Sequence, residues 1–316
     1  MRSMRVLLVM VVLGLGVCGR PARGEGGMVQ MISLDGQWLA AKDPENIGRE
    51  KEWFRQPVEE AKAMRVPWLS QDVWPGYFDT VWYWREVEIP QPAAGGRILL
   101  RFWSVYYYAE VWLNGVRLGE HECGGGPFVF DITEAAKAGP GNRLAVRVIG
   151  SSRKGVDNFV QGQIPGGHAF NYTGIEDSVE LLLVPEVYIE DVYVQPRAET
   201  GDIEVEVKIR NSGAGQAEAR LELAAAPVLA GDAVVSQRLE KKLEAGETVW
   251  KSRLRVPNPR LWELEDPYLY QFTVRLEGAV GADVKTFRCG FRDFRVDQGY
   301  FRLNGRRIFL RSTHTA

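Results

Sequence analysis

Three carboxylates stand close together at Glu263, Glu265 and Asp266. Acid–base or nucleophilic chemistry needs two such groups converging on one substrate, one to give a proton and one to take or hold charge. Here they follow Asn258-Pro259 and precede Pro267, punctuation that marks a loop, and acids clustered in a loop read as solvated surface. Histidine, whose charge changes near neutral pH, occurs at His121, His168 and His314. None stands in a recognisable Ser/His/Asp motif. The cysteines are Cys18, Cys123 and Cys289. Two cysteines beyond the leader and scattered histidines argue against a zinc site. Cys123 and Cys289 fall in different expected domains, so no disulfide framework is expected. No Gly-rich loop follows a strand and opens a helix, the geometry that cradles phosphate. Ten tryptophans and eleven tyrosines leave two uses open, sandwich core and sugar-stacking platforms.

The elements that would position such groups are strands. Ile98, Leu100 and Phe102 alternate with Leu99, Arg101 and Trp103, the period of a strand. Ala109 to Leu113 is a second run, followed by Asn114-Gly115 and then Val116-Arg117-Leu118. Asn-Gly between apolar runs predicts a two-residue hairpin turn with both residues at positive φ. Phe128-Val129-Phe130 and Asn142 to Val148 add strands. Thr133 is placed to cap a one-turn helix over Glu134 to Lys137. Pro44 to Glu60 reads as polar and irregular. Trp82, Trp84, Val87 and Ile89 share no simple face, which predicts a bulge in their strand. Ser151 to His168 has no period and carries Gly155, Gly162, Pro165, Gly166 and Gly167. A long Gly-rich loop within a compact domain is a signal of function or mobility.

After Val179 to Val184, Pro185 opens a second block with a cleaner pattern. Ile203 to Arg210 alternates strictly, apolar then charged. Ala219 to Ala225, Val249 to Val256 and Leu269 to Leu276 follow at the spacing of an immunoglobulin-like sandwich.

With 316 residues, the chain accommodates two ordinary domains and part of a third. Lys+Arg is 39 against Asp+Glu 41, a net charge of -2, and this balance gives no electrostatic reason for a nucleic-acid or acidic-membrane partner. Arg2 and Arg5, the apolar Val6 to Val17 and Ala22-Arg23-Gly24 read as a secretory signal over 1–24. The apolar run is too short for an integral membrane span. The expected location is secreted or periplasmic. Cys18 offers lipid anchoring as an alternative, against which stands the bulk of Val17 before it.

The motifs also carry a resemblance. Val111-Trp112-Leu113-Asn114-Gly115, Leu118-Gly119, His121, Gly124, Pro127-Phe128 and Phe130-Asp131-Ile132-Thr133 resemble the pattern VWLNGxxLGxHxGGxxPFxFDIT of glycoside hydrolase family 2, with Cys123 at the usual first glycine. Ser33 to Trp38, Val66-Pro67 and Trp82 to Pro90 resemble earlier elements of that family. Asn258-Pro259-Arg260-Leu261-Trp262 with Pro267 to Tyr270 is similar to its NPxLWxxxxPxLY signature, and Gly290 to Arg295 to its GFRxf junction. Phe301 to Arg311 resembles FxLNGkpifLRG, which leads into the first barrel strand. Ala169 to Ile175 resembles DFFNYAGI of β-glucuronidases, whose Asp points into the sugar pocket; His168 takes its position here.

The resemblance implies an all-β fold: a jelly-roll, galactose-binding-like sandwich over 31–184, an immunoglobulin-like sandwich over 185–287, and over 288–316 the first strand of an otherwise absent (β/α)8 barrel. A complete barrel takes about 250 residues. It implies a secreted retaining β-glycosidase when complete, acting on a carbohydrate substrate with no cofactor and no metal. Retention needs two carboxyl groups about 5 Å apart, supplied in the family by barrel glutamates that match no position here. This chain would then be a non-catalytic part, its partner the missing barrel of the same polypeptide, with a homo-oligomer left open. His168, Asn171 and Tyr172 are the residues the first sandwich would lend to the sugar site; for Asn171 and Tyr172, a role in tying the loop to the sheet stays open. The other reading of the whole chain is a stand-alone two-sandwich carbohydrate-binding or surface-adhesion protein.

Overall fold

The computed structural model describes residues 29–124, 126–150, 173–229 and 231–311. Among these every regular element is a strand except a single 3-10 turn at Ser70–Asp72. The leader expected over 1–24 lies outside the described residues. The first sandwich comprises β1 (Gln30–Ser33), β2 (Gly36–Lys42), β3 (Lys62–Val66), β4 (Trp68–Leu69), β5 (Val81–Ile89), β6 (Arg97–Phe102), β7 (Val105–Tyr106), β8 (Tyr108–Leu113), β9 (Val116–Glu122), β10 (Phe128–Asp131), β11 (Gly139–Ile149), β12 (Gly174–Ile175) and β13 (Val179–Val184). A six-stranded antiparallel sheet, β3-β2-β5-β11-β8-β9, faces a four-stranded one, β1-β13-β6-β10, and the short strands β4-β12-β7 close one end. Ile98, Leu100 and Phe102 turn inward against Val111, Val146 and Val148 of the larger sheet, as their alternation requires.

The Asn114-Gly115 turn joins β8 to β9 with φ of 53° and 80°, as the dipeptide predicts. Asn114 also accepts the Arg143 amide at 3.0 Å and donates to Asn142 at 2.9 Å, so the turn is fastened to β11. Gly115→Val is expected to lower stability by about 1–3 kcal/mol, because a β-branched residue at this φ is strained. An unchanged melting temperature would contradict the assignment.

Two local expectations are corrected. No helix follows Thr133: its backbone N–H and hydroxyl both donate to Asp131, while its oxygen accepts the Ile98 amide at 2.9 Å, so Asp131 organises a turn instead. No bulge lies in β5. Both of its faces are buried over Val81 to Trp84, and the irregularity sits opposite, where Gly139 to Asn142 of β11 spans Ile89 to Val87.

The second face of β5 is covered by the segment that reads as polar and irregular. Trp82, Trp84, Trp112, Ala41 and Ala145 form a small core against Trp53, Phe54, Val58 and Ala61. Buried Asp43 anchors this cover, accepting the Ile47 and Gly48 amides and the Trp82 indole N–H, each at 2.9 Å. Beside it the Arg147 and Glu110 side chains pair at 0% and 2% exposure. Most tryptophans therefore serve as core; Trp68 and Trp103 remain exposed.

The second sandwich is built from β14 (Val187–Pro196), β15 (Asp202–Asn211), β16 (Ala217–Pro227), β17 (Val235–Leu243), β18 (Gly246–Arg255), β19 (Tyr270–Glu277) and β20 (Ala282–Cys289). Its sheets are β14-β15-β18 and β17-β16-β19-β20. Ile203, Val205, Val207 and Ile209 of β15 alternate inward against Leu221, Leu223, Phe272 and Val274. The polar rows outside carry cross-strand pairs such as Lys208–Glu247 at 2.9 Å and Lys251–Glu206 at 2.7 Å. Exposed pairs of this kind add little to stability, because solvent and salt screen them. The strands β14, β17 and β20 give no such signal in the sequence; β17 carries Arg238, Glu240, Lys241 and Lys242 and takes its place at a sheet edge.

The last described segment is the one expected to lead into a barrel strand. β21 (Phe294–Asp297), β22 (Tyr300–Leu303) and β23 (Arg306–Arg307) form an antiparallel meander, and Ile308 to Arg311 is not in a strand. The cause is Asn304-Gly305, at φ 48° and 81°, which folds the chain back. Asn304 fastens this turn to the second sandwich, donating to the Trp262 carbonyl at 2.9 Å and Glu263 Oε1 at 3.0 Å. Phe294, Val296, Tyr300, Phe301, Phe309 and Leu310 are left exposed.

Candidate functional site

His168, Asn171 and Tyr172 fall in 151–172, outside the described residues. What the structure fixes is where that segment leaves and returns. Gly150 directly follows β11, and a Cβ there would lie 2.0 Å from Thr173 Oγ1 and 2.1 Å from the Phe78 carbonyl oxygen, so only glycine lets the two ends meet. Thr173 is held twice: its amide donates to Gln71 Oε1 at 3.2 Å and its carbonyl accepts the Ser70 amide at 2.8 Å. β12 then inserts between β4 and β7.

This end of the sandwich gathers chemistry that no sequence motif indicates. Trp68 is 48% exposed; its indole N–H donates to Asp72 and the Arg65 guanidinium lies over its ring at 5.6 Å. Glu176 follows β12, and burial pushes its carboxyl up to about 7. Its neighbour Ser104 accepts the Glu176 and Asp177 amides through its carbonyl, at 3.1 and 3.4 Å. The Tyr106 ring lies against Gly124, so closely that a Cβ there would come within 2.0 Å of it.

The other candidate groups have structural partners. Glu263 accepts from Asn304, and Asp266 pairs with Arg260 at 2.7 Å, so these two brace the second sandwich, while Glu265 is exposed. His121 stacks on Phe128 with ring centroids 4.2 Å apart. His314 lies outside the described residues. Cys123 is exposed, while burial raises the Cys289 thiol to about 11 and makes it a poor nucleophile. Among the described residues no three His, Cys, Asp or Glu side chains group closely enough to hold a metal, and no helix is long and apolar enough to cross a membrane.

A cleft of about 450 Å³ separates the sandwiches, lined by Arg97, Arg101, Tyr188 and Arg210 among others. Arg97 donates to Asp131, Arg101 to Glu180 and Arg210 to Glu190, each at 2.9 Å. Its guanidinium groups are thus neutralised in place, and the cleft is not an anion pocket.

Residues 31–185 match the model of the glycosyl hydrolases family 2 sugar binding domain, and residues 187–292 that of glycosyl hydrolases family 2. The chain belongs to glycosyl hydrolase family 2. It carries the family's sugar-binding domain followed by its immunoglobulin-like domain. Relatives include the β-glucuronidase of Felis catus, 29% identical over 344 residues covering 94% of this chain and 50% of that protein. The β-glucuronidase of Paenibacillus borealis is 27% identical over 89% of this chain and 48% of that protein. Among solved structures, a putative β-galactosidase from Bacteroides fragilis aligns with TM-score 0.76 at 25% identity, over 89% of this chain and 44% of that one. The chain thus spans about half the length of the curated relatives it matches.

Proposed function

We propose that this chain is the N-terminal, non-catalytic part of a secreted or periplasmic retaining β-glycosidase that removes terminal β-linked sugars. The observation that carries the reading is the order of parts: sugar-binding domain, second domain, then a meander whose aromatic face is uncovered. That face is the surface on which a following barrel would rest. Secretion is supported by Arg2, Arg5 and the apolar Val6 to Val17, and the jelly-roll description by the two facing antiparallel sheets. His168, Asn171 and Tyr172 are proposed to reach the sugar site, since the segment bearing them starts and ends at the strand-closed end of the first sandwich.

The chemistry sets the expected result. An oxocarbenium-like transition state needs a proton donor at the leaving oxygen and an anion on the opposite face of the ring. Of the clustered acids, Glu263 and Asp266 are engaged in bracing their loop. The 316-residue protein is therefore expected to release no nitrophenol from aryl β-glycosides above a control protein. The product of a reading frame continuing past Ala316 is expected to release it, with turnover lowered by His168→Ala at unchanged melting temperature. Hydrolysis by the 316-residue chain would overturn the reading. A stop codon directly after Ala316, with retained sugar binding, would favour the stand-alone binding protein instead.

A further inference from the structure

The end of the first sandwich contains a hydroxyl with one hydrogen and two claims on it. Ser104 Oγ lies 2.7 Å from the Gly124 carbonyl oxygen and 3.4 Å from Glu176 Oε2. A carbonyl only accepts, so at the short contact Ser104 donates to Gly124 and its single hydrogen is committed. The contact with Glu176 then needs its hydrogen from the carboxyl. Glu176 Oε1 is meanwhile buried with no donor among the described residues. An ionised carboxylate accepts only, and burying one without donors is costly. Both observations fit the protonated acid.

We propose that Glu176, Ser104 and Gly124 form a proton-gated latch. With its proton, Glu176 donates to Ser104, which donates to the Gly124 carbonyl. When the proton leaves to solvent, the carboxylate becomes the stronger acceptor. The Ser104 hydroxyl turns to it, and the Gly124 carbonyl loses its donor. The latch joins parts far apart in sequence: Ser104 after β6, the turn at Gly124 after β9, and Glu176 after β12. Because Gly124 sits on the Tyr106 ring of β7, release loosens the end of the sandwich at which residues 151–172 begin and end.

Among the described residues, the charged and titratable groups on the surrounding elements include Tyr106, Tyr107, Cys123, Asp177 and Arg101. Tyr107, beside β7, donates to Glu122 at 3.5 Å. Tyr106 has its ring edge-on to that of Tyr107, with centroids 5.6 Å apart. Cys123 is exposed. Asp177 accepts the Ser178 amide at 2.7 Å, and Arg101 is paired with Glu180 at 2.9 Å. None of these is hydrogen-bonded to Glu176, whose raised carboxyl follows from burial.

The test is carbonyl and carboxyl 13C NMR of the intact 316-residue protein across about pH 5–9. Glu176 Cδ and the Gly124 carbonyl are expected to titrate together with a midpoint near 7. In Glu176→Gln, whose amide donates at every pH, the Gly124 shift should stay at its low-pH value. In Ser104→Ala the Gly124 shift should lose its pH dependence while Glu176 still titrates, at a higher midpoint because the carboxylate has lost its donor. A Gly124 carbonyl that does not move with pH in the unaltered protein would overturn the latch. So would one that titrates unchanged in Ser104→Ala.

Discussion

Glu110→Ala is expected to lower the stability of the first sandwich by about 3–5 kcal/mol, the range for removing one member of a buried ion pair. Glu110 and Arg147 are register partners on β8 and β11, and their side chains are 2% and 0% exposed. Glu110 also accepts from Arg117 at 3.3 Å, so one carboxylate answers more than one guanidinium. Arg147 keeps Asn46 as a partner, which accepts hydrogen bonds but carries no charge. Domains of this size are stable by only about 5–15 kcal/mol in total, so the single substitution should visibly shift the urea midpoint. The double variant Glu110→Leu/Arg147→Met removes both charges and should cost much less, since well-packed apolar pairs replace buried ion pairs with little loss. Equal midpoints for the single and double variants would show that breaking the pair on one side only is not the source of the loss.

That pair also marks where reading the sequence stops. Asn114-Gly115 announces its hairpin because the requirement for positive φ is local to two residues. The strict alternation of Ile203 to Arg210 announces β15 because one face of that strand meets the core and the other meets water. β5 gives no such signal. Over Val81 to Trp84 both of its faces are buried, one by the opposite sheet and one by residues 43–61, and period-2 reading assumes one dry face. The cover itself reads as polar because its apolar contacts are few, Trp53, Phe54, Val58 and Ala61, while Asp43 does the fastening. At the end of the first sandwich the gap is wider. Gln71 meets Thr173 across 102 positions and Ser104 meets Glu176 across 72, pairings made by strand order alone. The family pattern located the segment 168–175 but carried no sign of Ser104 or Glu176.

Trp82→Ala is expected to cost about 3–5 kcal/mol, the range for deleting a large buried aromatic. Trp82 is fully buried, with its ring stacked on Trp112 at 5.2 Å and Trp84 at 6.3 Å between centroids. Its indole N–H is one of three donors to Asp43, so the alanine variant both opens a cavity and weakens the anchor of the cover. Trp82→Phe separates the two contributions. It keeps most of the ring volume and loses one hydrogen bond to a charged acceptor, a change of about 1.5–3 kcal/mol. Hydrogen exchange should show where the loss falls: the Ile47 and Gly48 amides, which donate to Asp43, should exchange faster in both variants, while amides of β15 should not change. A third substitution tests the contact itself. A Cβ on Gly48 would sit 2.4 Å from Trp82 Nε1 and 2.8 Å from Asp43 Oδ2, so Gly48→Ala should be strongly destabilising beside tryptophan and less so beside alanine, where only the Asp43 contact remains. Residues in contact couple by about 0.5–3 kcal/mol in such a cycle. Additive losses from Gly48→Ala and Trp82→Ala would mean that residues 43–61 do not rest on this ring.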